Sequence, residues 1–137
     1  MKQIQTILCL LALTPILLSF QQDDELKTSM VRGKEIFIAN CVTCHMQNGE
    51  GIEGVYPPLA KSDYLMSDKV RAIKQVLEGA SGPMTVNGIQ YNGFMAGFDL
   101  SDREVSDVLN YIKNSWGNKS EAITPEEVKS VRWQFMY

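Results

Sequence analysis

The chain has 137 residues and a formal net charge of −3, with 13 Lys and Arg against 16 Asp and Glu and no basic run. That balance argues against nucleic acid as a partner. Three Cys and one His leave too few residues for a disulfide framework.

Residues 1–20 place Lys2 ahead of an apolar run from Ile7 to Phe20, broken by Thr14-Pro15 and followed by the polar cluster Gln21 to Glu25. This layout predicts a signal peptide cut somewhere between residues 19 and 22. About 14 apolar positions are short for a membrane span of about 20, so no stable span is expected. Export to the periplasm or cell envelope follows. Cys9 lies in that segment, which leaves Cys41 and Cys44 as the thiols of the folded part. What remains is enough for one small domain.

A first helix is expected over residues 28–40, capped by Thr28 or Ser29, with Met30, Ile36, Phe37 and Cys41 at helical spacing. The Gly-rich stretch from Met46 to Pro58 reads as a loop. Ser67 starts a second helix through Val70, Ile73, Val76 and Leu77, and Gly79 ends it. Asn87-Gly88 between Met84-Thr85-Val86 and Ile89-Gln90-Tyr91 predicts a small hairpin near 84–91. Ser101 and Glu104 form a capping box for a third helix, with Val105, Val108, Leu109 and Ile112 on its apolar face and Trp116-Gly117 closing it. Thr124-Pro125-Glu126-Glu127 starts a last, short helix that ends in Trp133, Phe135 and Tyr137. The expected divisions are a leader at 1–20, a domain at 28–118 and an extension at 119–137.

Cys41-Val42-Thr43-Cys44-His45 carries the chemistry. C-x-x-C-H is an attachment motif for c-type haem: two thiols span the vinyl edge of the porphyrin, and the adjacent imidazole becomes the proximal ligand. Structural zinc needs four ligands, and no second cluster exists. A thioredoxin-like pair needs a strand before the motif, whereas a helix is expected there. With no second His, a Met thioether is the expected sixth ligand. Met46 adjoins His45, Met66 reads as core filler, and Met136 lies at the chain end. Met95 is the first choice, Met84 the second, and an open or water-ligated site the third.

Gly33-x-x-x-Phe37, the haem motif, Pro57-Pro58-Leu59, Tyr91-Asn92-Gly93-x-Met95 and Leu100-Ser101-Asp102 into Asn110-Tyr111-Ile112 resemble a bacterial class I cytochrome c over about Ser29 to Gly117. The resemblance is closest to small monohaem cytochromes, found alone or as haem modules of periplasmic dehydrogenases and copper nitrite reductases. The endings Ser115-Trp116-Gly117-Asn118 and Thr124 to Val128 resemble the same subgroup. Many members have Pro after the ligand Met, whereas Ala96 follows Met95 here and makes the loop less rigid. The resemblance implies an all-α cytochrome c fold, with three main helices around one haem c. It implies that Gly33 and Phe37 cross the third helix near Val108 and Tyr111. It implies that Pro57, or else Pro58, offers its carbonyl to His45 Nδ1. Leu59, Tyr64, Leu65 and Phe98 would line the haem crevice, and Tyr91 and Asn92 would lie near a propionate.

The expected function is outer-sphere electron transfer by Fe(III)/Fe(II) cycling, with redox proteins as partners. One alternative is a dedicated haem subunit of a dehydrogenase or reductase, docked through the aromatic tail. The other is an open-iron peroxidase or gas sensor, against which the lack of a distal His weighs.

Overall fold

The computed structural model describes residues 23–136; the leader expected at 1–20 lies outside the described residues. In chain order the elements are α1 (residues 23–40), α2 (Val42–His45), α3 (Asp63–Ser67), α4 (Lys69–Glu78), β1 (Gly79–Val86), β2 (Ile89–Ala96), α5 (Asp102–Ile112) and α6 (Pro125–Met136). Helices thus carry the fold, and one two-stranded antiparallel sheet stands beside them.

Helix α1 already includes residue 23, five positions before the expected start. Asp23, Asp24 and Glu25 supply negative charge to its early turns, where the helix dipole favours it. Thr28 does not cap: its hydroxyl donates back to the Asp24 carbonyl at 2.9 Å. Ser29 does not cap either, because its hydroxyl donates to Asp107 at 2.6 Å.

The second helix is two helices. Asp68 sits in extended conformation between α3 and α4, and its carboxylate accepts from Arg71 N–H at 2.9 Å, capping α4. Ser62 caps α3 by accepting from Leu65 N–H. Ser67 therefore ends one helix instead of starting the next. Gly79 closes α4 as expected.

The hairpin is longer than expected, running from Gly79 to Ala96. Asn87 and Gly88 have φ of 52° and 81°, the paired positive values of a two-residue primed turn. Its tip is tied down: Asn87 N–H donates to the Asp63 carboxylate at 2.8 Å, and Asp63 N–H donates to the Asn87 side-chain Oδ1 at 3.0 Å.

In α5 the capping box forms as read, Ser101 and Glu104 each accepting the other's backbone N–H. The helix ends at Ile112, not at Trp116. Asn118 draws the chain away by donating its amide to the carbonyls of Ile112 and Leu59, both at 2.8 Å.

Helix α1 crosses α5 at Gly33. A Cβ there would lie 1.9 Å from the Asp107 carbonyl oxygen and 2.9 Å from Tyr111 Cβ, so only Gly fits. Phe37, one turn on, packs its ring 5.6 Å from Tyr111 and 5.1 Å from Trp116. Beside the crossing, Asp107 also accepts from Arg32 Nε and Nη2, and Asn110 links Ser29 to the backbone of Ile123.

Helix α6 is not short: it has 12 residues, and its Thr124–Glu127 capping box forms. Ile123, Val128 and Val131 enter the same core as Phe37, Ile73, Val105 and Leu109. Arg132 binds Asp102 and the Leu100 carbonyl, and Lys69 pairs with Glu127.

Candidate functional site

A cavity of about 290 Å³ opens between the loop after α2, the inner faces of α4 and α5, and the hairpin. Cys41, Cys44 and His45 lie on its wall together with Pro57, Pro58, Leu59, Tyr64, Leu65, Tyr91 and Phe98. Met84 and Met95 line it as well.

The motif is built by one helical turn. Cys41 ends the run of α1, and its carbonyl accepts from Cys44 N–H at 3.2 Å and His45 N–H at 3.0 Å. Both thiols are therefore carried on the same short turn, unbridged. Burial, reinforced by the charge on Cys44, pushes the Cys41 thiol up to about 11. Met46 leaves the helix with φ of 62° and is not part of the wall, as its place next to His45 demanded.

His45 Nδ1 donates to the Pro57 carbonyl at 2.9 Å. Pro57, not Pro58, is the partner. Burial pulls the imidazole pKa down, opposed by the Pro57 bond. The neutral ring with its proton on Nδ1 leaves the Nε2 lone pair for a metal.

The hairpin supplies the facing wall. In its register Ala80 faces Met95, Gly82 faces Gly93 and Met84 faces Tyr91. Alternation puts these pairs on one face of the ribbon. Asn92, paired with Pro83, falls on the other face, is exposed and does not reach the cavity. Of the two residues expected near a propionate, Tyr91 is on the cavity wall and Asn92 is not. Tyr91 is 3% exposed.

Around Met95 the cross-strand positions are small, Ala80 and Gly82. Gly79 lets the strands close there, since a Cβ on it would stand 2.2 Å from the Met95 carbonyl oxygen. Backbone packing thus holds the segment that Ala96 leaves less rigid than Pro would.

Several wall residues carried no sequence signal. Leu109, Ile112 and Val76 have the spacing of helix core, and one apolar face serves both purposes. Gln75 donates to the Tyr64 hydroxyl at 3.4 Å, and Arg71 lies 3.8 Å over the Tyr64 ring. Among the described residues no group of three or more His, Cys, Asp and Glu could hold a metal ion, which leaves zinc without a ligand set. The donor set fits a haem: two thiols on one turn, an oriented neutral imidazole, an apolar slot, and thioethers across it.

The family model for cytochrome c matches residues 30–116. Cytochrome c-552 of Thermus thermophilus is 40% identical over 110 residues, covering 73% of this chain and 83% of that protein. The cytochrome c subunit of a quinone alcohol dehydrogenase from Gluconobacter oxydans is 28% identical over 121 residues, 81% of this chain and 25% of that subunit. The cytochrome c subunit of gluconate 2-dehydrogenase from Pantoea cypripedii is 30% identical over 124 residues, 82% of this chain and 28% of that subunit. This chain belongs to the cytochrome c family, an electron carrier built on one covalently bound haem c.

Proposed function

We propose that Cys41 and Cys44 would hold the haem by thioether bonds and that His45 Nε2 and the Met95 thioether would be the donors to its iron. The haem, when bound, supplies a one-electron Fe(III)/Fe(II) couple. The chain's own residues do the rest. Pro57 orients His45 and strengthens its donation. The Met95 thioether, a soft neutral donor, favours the less charged reduced form. Leu65, Leu109 and Ile112 keep water from the wall behind the ring. Helices α4 and α5, with Tyr64 and Leu65 of α3, would wall the group. The Nδ1–Pro57 bond carries this reading, because it fixes the tautomer that leaves the Nε2 lone pair free for a metal. The register around Met95 supports that residue over Met84.

The test is optical. The oxidised protein should show the thioether-to-iron charge-transfer band at the red end of the visible spectrum. Met95→Ala should lose it and Met84→Ala should keep it. Ready binding of carbon monoxide by the reduced native protein would refute the closed site.

The working place is the cell envelope, supported by the apolar run from Ile7 to Phe20. No helix among the described residues is long and apolar enough to cross a membrane. A second reading, a haem subunit docked in a dehydrogenase complex, is supported by Trp133 and Phe135, 56% and 44% exposed on α6. Co-purification with a larger redox enzyme, weakened by Trp133→Ala with Phe135→Ala, would establish it.

A further inference from the structure

One ionisable group sits against the cavity wall without a part in ligation. Lys113 caps α5 and is 3% exposed. Its ammonium donates to the Leu65 carbonyl at 2.9 Å. Leu65 lines the cavity, and so does Ile112, the residue before Lys113. Both its hydrogen-bond partner and its chain neighbour are thus wall residues.

Among the described residues no carboxylate forms an ion pair with this lysine. The charged groups that act on it come from the α3–α4 junction and α4: Asp68, which favours its charge, and Lys69 and Arg71, which oppose it. From α6, Glu127 is engaged with Lys69. The end of α5 gives further support, since a helix C-terminus favours a cation.

Resting on the electron-carrier reading above, we propose that the Lys113 ammonium is the buried positive charge that raises this cytochrome's reduction potential. Reduction lowers the charge of the iron by one, so a cation behind the wall favours the reduced state. Water screens a surface lysine; it does not screen this one. A unit charge in a medium of effective dielectric about 20 acts on a nearby equilibrium about four times as strongly as one in bulk water. Linkage makes the effect reciprocal: the reduced protein holds the Lys113 proton more tightly than the oxidised protein. The potential should therefore fall as pH rises through the titration of Lys113. Burial, with Lys69 and Arg71 beside it, pulls that titration below the ordinary lysine range.

The experiment is a potentiometric titration of the holoprotein against pH for wild type, Lys113→Met and Lys113→Arg. It is confined to pH values where the charge-transfer band persists. Lys113→Met should lower the potential, equivalent to about a tenfold rise in the ratio of oxidised to reduced protein at fixed poise. It should also abolish the alkaline slope, while Lys113→Arg keeps the wild-type potential near neutral pH. An unchanged potential in Lys113→Met overturns the proposal, and so does an equal fall in both variants, which would make the effect steric. Should Lys113→Met fail to fold, the wild-type profile decides: a falling potential supports the proposal and a flat one overturns it. Failure of the ligation reading is distinct, since it removes the charge-transfer band from the wild type itself.

Discussion

Gly33→Ala sets two known effects against each other. Alanine in place of a mid-helix glycine normally stabilises by about 1 kcal/mol. Here the added Cβ would lie 1.9 Å from the Asp107 carbonyl oxygen, 2.5 Å from its carbon and 2.9 Å from Tyr111 Cβ. Ordinary contact requires α1 and α5 to part by about 1.5 Å. The same interface holds the bonds from Ser29 and Arg32 to Asp107, at 2.6 to 2.7 Å. Adding the separation takes them past hydrogen-bonding distance. Each charge-assisted bond contributes about 1.5–3 kcal/mol, and the Phe37–Tyr111–Trp116 cluster opens with them. The net expectation is a loss of roughly 3–6 kcal/mol, enough to unfold much of a marginally stable domain. Guanidinium unfolding of the holoprotein, followed by circular dichroism and haem absorbance, measures it. A variant as stable as wild type, or more so, would show that the crossing is not close and that propensity governs this position.

Further expectations address the other supports of the site. Asp107→Asn keeps the shape but removes the charge that Arg32 and Ser29 bind, and should cost about 2–3 kcal/mol in the same denaturation assay. Asp63→Ala frees the hairpin tip at Asn87; stopped-flow binding of imidazole to the oxidised protein should speed up about fivefold with the resting spectrum unchanged. Ile123→Ala should cost about 2–4 kcal/mol, because this side chain, 2% exposed, belongs to the main core; a near-neutral result would make residues 119–137 a detachable appendage. The Glu127 carboxyl is held below its ordinary range chiefly by its hydrogen bond with Lys69, with burial opposing and the Thr124 N–H assisting. The folded state therefore binds this proton less tightly than the unfolded state. Its stabilisation is present above the ordinary glutamate value of about 4.3 and is lost as pH falls through the folded value. Glu127→Gln should cost roughly 0.5–1 kcal/mol at neutral pH, and the difference should vanish in acid.

Local chemistry was legible wherever it acts within a few residues. The capping boxes at Ser101 and Thr124, the Asn87-Gly88 turn and the stop at Gly79 were readable for that reason. Elsewhere distant partners override local preference. Ser29 reads as a cap, but Asp107, 78 positions away, takes its hydroxyl. Asn118 ends α5 early through carbonyls of two separate segments.

By itself the sequence pointed to a haem and to residues 41–45 as its candidate anchor, because C-x-x-C-H sets two thiols and an imidazole within one turn of chain. It ranked Met95 ahead of Met84 from loop composition alone. Only the tertiary structure brought the hairpin over the cavity with small residues opposite Met95, drew α6 into the core and buried Lys113 behind Leu65. Those outcomes depend on contacts between segments far apart in the chain, whose distance and burial no local pattern encodes.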